Sequence, residues 1–249
     1  GEAHCHPLNY ALGIAKAALS AGANIFERTA AIRYKIHNNY VRVKTQNGSI
    51  KAERVILACN GYLENLEKRL TSKILPMNNY IVATKPLDDD IVKKINPRDI
   101  AFADSRFVIN YFRLSADKRL LFGGGENYSK NLSKNIVPIV TKPLEKIYPF
   151  LKGVKIDYAW GGKLAITMNR LPFFTTLHND KVISAQGYSG QGVALASYSG
   201  KIVSEKITGD GETFDIMSSI PRQSFPGGRF LRNPSMKIGM LYYSLLDRI

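Results

Sequence analysis

Gly187-Tyr188-Ser189-Gly190-Gln191-Gly192 is where the residue types most plainly invite chemistry. An apolar run, Lys181–Gln186, enters it, and a helical pattern running to about Ile207 leaves it. A helix start exposes unpaired N–H groups and a partial positive charge. Glycines let a ligand lie against that backbone, so the turn suits a phosphate, a carboxylate or a developing anion. The spacing is the reverse of G-x-G-x-x-G, so it is not the dinucleotide fingerprint. A tight strand-to-helix turn that needs glycine for geometry alone explains the same residues. Ala58-Cys59-Asn60-Gly61 follows the apolar Val55-Ile56-Leu57-Ala58. Open α/β sheets place ligands at such a carboxyl end. Asn-Gly is also a plain turn signal. Cys59 reads as a small packing residue, because no base neighbours it in sequence.

Other chemistry-bearing residues are weaker. His4-Cys5-His6 does not match structural zinc spacing, and no second cluster completes a ligand set. His37 and His178 fall in a turn and a loop and are expected to face solvent. No nucleophile elbow, paired-carboxylate signature or Walker A motif is present. Tyr111-Phe112-Arg113 and Trp160, the only tryptophan, supply aromatics that either wall a pocket or fill a core.

The elements that must position these residues follow from periodicity. Pro7–Ala21 reads as a helix, with Leu8, Leu12, Ala15 and Leu19 in phase and Gly22 as its stop. Asn24–Thr29, Ile32–Ile36, Val41–Thr45 and Ile50–Ala58 read as strands, with Gln46-Asn47-Gly48-Ser49 as a hairpin turn. The last ends in a continuously apolar run suited to burial on both faces. Residues 79–87, 105–115 and 119–125 read as antiparallel strands, two of them joined by Ser115–Lys118. Lys134–Phe150 reads as a helix broken by Pro138 and Pro143, and Val154–Thr167 as a strand. The helix after Gly192 is expected to bury Val193, Ala196, Gly200, Val203 and Ile207. The tail carries Phe225-Pro226-Gly227-Gly228 and an amphipathic segment over 235–247.

The 249 residues suit one large domain or two modest ones, and 45% apolar content supports a core. No apolar run is long enough to cross a bilayer, and two cysteines build no disulfide framework. The net charge of +15 raises the prior for nucleic acid, an acidic membrane surface or an anionic ligand. The cations are dispersed rather than blocked, which favours a solvated basic surface and gives no expectation of nucleic-acid binding. The sequence starts at Gly1 and its first methionine is Met77, so a processed form or a fragment is expected.

Together these stretches resemble the C-terminal part of the D-amino-acid-oxidase-like (DAO) family of FAD-dependent oxidoreductases, nearest its gamma-glutamylputrescine oxidoreductase branch. The residues that carry the likeness are His6–Tyr10, Val55–Tyr62, Tyr111–Ser115, Leu121–Tyr128, Tyr158–Gly162, Arg170–Pro172, Gly187–Val193 and Gly239–Tyr243. The resemblance implies an α/β plus α+β fold. A partial, discontinuous Rossmann-like (GR2-type) FAD-binding domain would span 1–70 and 168–210, with an antiparallel-sheet substrate domain inserted at 71–167. Residues 211–249 would form a C-terminal tail with a helix. It implies non-covalent FAD, met by Ala31, by Cys59, Asn60 and Gly61, and by Gly187, Tyr188, Ser189, Gly190, Gln191, Gly192 and Val193. The glycine turn would face the isoalloxazine, where a helix start stabilises charge on the reduced ring. Tyr111, Trp160 and Arg170 would meet the substrate, and no catalytic side chain is firmly assigned. The implied reaction is hydride transfer from an amine such as gamma-glutamylputrescine, imine hydrolysis and reoxidation by oxygen, in the cytoplasm. A sarcosine-like amine is the alternative within the class, and a non-catalytic basic binding module the alternative outside it. The family's strand–G-x-G-x-x-G–helix is not among these residues, so the expected partner is a missing N-terminal FAD-binding segment, without which the chain is expected to be inactive.

Overall fold

The computed structural model describes residues 3–106, 109–127, 129 and 131–226. Along the chain run α1 (Pro7–Ser20), β1 (Ala31–Ile36), β2 (Val41–Thr45), β3 (Ser49–Ala52), β4 (Val55–Leu57), α2 (Lys68–Thr71) and β5 (Leu75–Thr84). Then come α3 (Asp89–Ile95), β6 (Phe102–Ala103), β7 (Tyr111–Leu114), β8 (Leu120–Asn127), α4 (Val137–Ile147) and β9 (Ile156–Ile166). β10 (Phe173–Leu177), β11 (Val182–Gln186), α5 (Gly192–Thr208) and α6 (Glu212–Ser219) complete the order. Tyr128, Gly227, Gly228, the segment 235–247 and Gly239–Tyr243 lie outside the described residues.

The described chain divides into two compact units, one built on Pro76–Lys163 and one on Cys5–Leu75 with residues 164–226. In the first, a five-stranded sheet has the order β6-β7-β8-β5-β9. Tyr80, Val82, Leu114, Leu120, Phe122, Val140 and Leu144 form its core, so one sheet face is covered by α3 and α4. Pro138 sits in the first turn of α4 and Pro143 lies inside it without breaking it. Full burial of Val140 and Leu144 outweighs the backbone hydrogen bond that Pro143 cannot donate.

The second unit holds two sheets, β1-β2-β3 and β10-β11-β4. The meander forms as expected: His37 N–H donates to the Tyr40 carbonyl at 2.8 Å, and Thr45 N–H to the Gly48 carbonyl at 2.9 Å. The expected Ile50–Ala58 strand is divided. β3 stays in the meander, while β4 joins the other sheet, parallel to β11 with Val182 opposite Val55 and Ser184 opposite Leu57. β4 lies at that sheet's edge, and Ile56 is 48% exposed, so burial on both faces does not hold. Asn24–Thr29 is not a strand: Arg28 takes a left-handed φ of 51°, and the Thr29 hydroxyl donates to the Glu27 carbonyl. β10, α2 and α3 appear where no element was expected, and α6 lies in the expected tail but ahead of the segment 235–247 that was read as its helix.

Alternation along β11 fills two cores. Val182 packs with Leu57, Leu63, Leu70 and Phe173, whereas Ile183 and Ala185 pack with Phe174, Ile202, Val203 and Phe214 of the helical side. α5 turns Ser199, Ile202 and Val203 inward, and Val193, Ala196 and Gly200 are exposed, which corrects the expected stripe. α1 buries no residue. No helix among the described residues is long and apolar enough to cross a membrane.

Candidate functional site

The two glycine-bearing turns meet. β4 and β11 run parallel, so Cys59-Asn60-Gly61 and Gly187-Tyr188 emerge from the same end of the sheet. Asn60 sits at φ 46° and its Oδ1 accepts from the Gly187 N–H at 3.0 Å. Asparagine tolerates the left-handed region better than most residues, which fits it to this corner. Gly61 is buried in the short 3₁₀ turn Asn60–Tyr62. Gly187 needs its glycine twice over: its φ is 78°, and a Cβ there would stand 2.5 Å from Thr167 Cγ2.

From Gly187 the backbone is held by the end of β9 and the turn after it. Ser189 N–H donates to the Ala165 carbonyl at 2.9 Å, and Thr167 N–H to Ser189 Oγ at 3.3 Å. The buried Tyr188 donates its hydroxyl to the Ala185 carbonyl at 3.1 Å. Gly190 turns at φ 98° with open space where a Cβ would project, and a Cβ on Gly192 would meet only Tyr188, at 3.6 Å. Gln191 caps α5 with no side-chain hydrogen bond to its first turn. The helix start is therefore bare backbone facing open space. Along the length of α5, from Ala196 to Thr208, a groove is lined on its other side by Ile56, Ala58, Ala185 and Tyr188. This donor set fits a ligand with an anionic or carbonyl-rich edge.

Burial pushes the Cys59 thiol and the Tyr188 phenol above their ordinary values. Cys59 thus stays protonated at neutral pH, in keeping with a packing role.

The remaining sequence-selected residues are distributed. Ala31 opens β1, in the separate meander sheet. Tyr111 lies in the first unit, directly across from Gly123, and its ring occupies the place of the missing side chain: a Cβ on Gly123 would be 2.2 Å from it. Its hydroxyl donates to Asn79 Oδ1, and Asn79 Nδ2 lies 3.4 Å from Glu126 Oε1. Burial first, and then the Glu126 charge, raise the Tyr111 phenol, against a smaller opposing effect of Asn79. Trp160, on β9 of the same unit, is 44% exposed. Arg170 is exposed in the turn between β9 and β10, at φ 62°, in the second unit with the glycine turns. His6 caps α1, accepting from Asn9 N–H at 3.3 Å, and His4 Nε2 is 3.0 Å from the Asp99 carbonyl oxygen. His37 is partly buried and stacked on Tyr40, a departure from the expected exposure.

Two features escaped the sequence reading. Gln186 is fully buried at the end of β11, and among the described residues neither polar atom of its amide has a hydrogen-bond partner. A long polar side chain closing a run whose other residues are apolar or small was the available signal. Glu67 accepts two hydrogen bonds from the Arg69 guanidinium at 3.0 Å each and another from Tyr34, and Arg69 Nη2 lies 2.6 Å from His178 Nε2. No spacing rule links those four residues.

A family model described as DAO, FAD dependent oxidoreductase, matches residues 1–206. Gamma-glutamylputrescine oxidoreductase of Escherichia coli K12 is 37% identical over 247 residues, which is 99% of this chain and 58% of that protein. A Haemophilus influenzae protein named "Probable oxidoreductase OrdL" is 38% identical over 98% of this chain and 57% of its own length. The chain thus spans less than three-fifths of these relatives. Among solved structures, glycine oxidase from Geobacillus kaustophilus superposes with a TM-score of 0.69 at 20% identity, covering 86% of this chain and 57% of that one. L-Proline dehydrogenase from P. horikoshii gives a TM-score of 0.65 at 25% identity, covering 79% and 54%. The expected mixture of α/β and antiparallel sheet is thereby the fold of these flavoenzymes. The chain belongs to the DAO family of FAD-dependent oxidoreductases.

Proposed function

We propose that this chain forms part of a flavoenzyme that oxidises the C–N bond of a small aliphatic amine, with gamma-glutamylputrescine as its substrate class. The observation that carries the reading is the bare start of α5, held against Asn60 and Gly61 at the common end of β4 and β11. Bound there, FAD would supply the two-electron acceptor that no side chain provides. Backbone N–H groups of Gly190, Gly192 and Val193 would donate to its electron-rich edge, while the Ser189 and Gln191 N–H groups, bonded to the Ala165 and Tyr188 carbonyls, hold the turn, and Gly190 and Gly192 leave that backbone approachable. Asn60 fixes the turn, and Cys59, Gly61 and Tyr188 pack beneath it. Ala31 we assign to the adenine side.

The amine loses two electrons and two protons, and water then cleaves the imine to an aldehyde and an amine or ammonia. With dioxygen as the final acceptor, hydrogen peroxide balances the equation. Tyr111, a phenol held protonated, and Trp160 and Arg170 are the proposed substrate contacts. We assign the flavin to residues 1–70 and 168–210 and the substrate contacts chiefly to 71–167, and we place the reaction in the cytoplasm. The 249 residues contain no G-x-G-x-x-G, so in this reading tight flavin binding draws on a pyrophosphate-binding segment outside them.

The test is the protein as its gene encodes it, purified and scanned for a flavin spectrum. Peroxide release would then be followed with gamma-glutamylputrescine, putrescine, sarcosine and glycine. The reading expects non-covalent FAD and the highest kcat/KM with gamma-glutamylputrescine. Preference for sarcosine or glycine would replace the substrate, and absence of flavin would overturn the reading.

A further inference from the structure

The strands of the meander gather cations that the sequence disperses. From Arg28 to Ala52 there are six Lys and Arg residues and no Asp or Glu. Tyr34, Ile36, Val41 and Val43 turn to the inner face of the sheet, so the alternate positions turn outward. Register then sets Lys35 opposite Arg42 and Arg42 opposite Lys51 in one row, and Arg33 opposite Lys44 in the next. All five side chains are exposed, and none makes an ion pair among the described residues. Neighbouring strands lie about 4.8 Å apart, and like charges directly opposite one another destabilise a sheet. Folding therefore works against this arrangement, and Glu or Thr in any of these places would relieve it.

We propose that this outer face of β1-β2-β3 is a docking surface for an anionic lipid bilayer. Charge complementarity calls for a polyanion, and the layout selects among them. The cations form a two-dimensional array on an open sheet rather than a line along a groove, which matches a plane of headgroups. The ring that a base would stack on, Tyr40, is already covered by Lys51 Nζ at 4.5 Å from its centroid and by the Arg42 guanidinium at 5.8 Å. Single-strand nucleic-acid recognition needs free aromatic faces. A basic patch with no inserted lipid chain gives reversible, salt-sensitive recruitment to an anionic leaflet. This inference does not depend on the amine-oxidase reading.

The test is cosedimentation of the protein, as its gene encodes it, with phosphatidylcholine–phosphatidylserine vesicles and with pure phosphatidylcholine vesicles. Binding is expected to the first only. It should weaken about fivefold for each of Lys35→Gln, Lys44→Gln and Lys51→Gln, and disappear at about 1 M salt, where the screening length falls to about 3 Å. Arg33→Lys should bind as the parent does. The thermal midpoint reports folding, and each Gln variant should keep or raise it by relieving repulsion. Binding to both vesicles, to neither, or unchanged in folded Gln variants overturns the proposal. So does an RNA oligonucleotide that binds more tightly at the same salt and displaces the vesicles.

Discussion

The Asn60 side chain holds the Gly187 N–H at 3.0 Å, joining residues 127 apart in sequence through one hydrogen bond. Both lie in the left-handed region, at φ 46° and 78°. The corner at the end of the parallel pair is thus fixed by one acceptor and two permissive backbones.

Asn60→Ala removes the acceptor and puts a less tolerant residue at a positive φ. It should cost about 2–3 kcal/mol, the sum of an orphaned buried N–H and the conformational penalty. Asn60→Asp keeps an acceptor and should cost less than half of that. Urea unfolding of both variants checks the difference, and equal losses would assign the effect to the backbone alone.

Gly187→Ala and Gly190→Ala share a backbone penalty of about 1–2 kcal/mol. They differ in surroundings, since only the Gly187 methyl would collide, with Thr167. Gly187→Ala should therefore show much the larger fall in thermal midpoint. Gly190→Ala should stay folded and lose flavin affinity, read by fluorescence titration. A folded Gly190→Ala with parental affinity would remove that glycine from the cofactor site.

Burial alone would raise the Glu67 carboxyl, but hydrogen bonds from Arg69 and Tyr34 outweigh it and hold the group down at about 2. Its folded value lies below its unfolded value near 4.5, so its stabilisation is full above about pH 4.5. It is lost as pH falls from there towards 2. Glu67→Gln should lower stability at pH 7 by on the order of 2 kcal/mol and flatten the stability profile between pH 5 and 2. An unchanged acid limb would exclude Glu67 as its source.

Gly123→Ala would drive a methyl into the Tyr111 ring and break the Tyr111–Asn79 hydrogen bond without touching either polar side chain. If Tyr111 meets substrate, Gly123→Ala and Tyr111→Phe should both raise KM for the amine several-fold while flavin content holds. Parental KM in both would place Tyr111 in the sheet's structure only.

Arg170→Ala should raise KM for an amine bearing a carboxylate much more than for a neutral one. Equal effects in steady-state kinetics would take Arg170 out of the substrate site.

The meander was legible because Asn-Gly turns and two-residue alternation are local signals. The division of Ile50–Ala58 was not, since which sheet β4 joins is decided by β11, far along the chain. α4 survives Pro143 because tertiary burial overrides local propensity. The α5 stripe was misphased because small residues fit a buried face and an open groove equally well; the structure buries Ser199 and Ile202 instead. At the site, the glycine turns were visible as residues, but the Asn60–Gly187 contact and the unpartnered Gln186 amide exist only after folding. The basic array follows the same logic: register, not sequence proximity, sets Lys35, Arg42 and Lys51 in a row.

The pairing of β4 with β11 also bears on the order of events in folding. β10 and β11 form a local hairpin, and so do β1 and β2, but β4 can meet β11 only after the whole of Pro76–Lys163 has been synthesised. Closing so long a loop carries an entropic cost that local contacts do not repay, so this pairing belongs to the late, slow part of folding. On the ribosome, the Pro76–Lys163 unit can fold before its neighbour is complete. The corner built by Asn60 and Gly187, and any ligand it holds, can then report arrival at the native state rather than help to reach it.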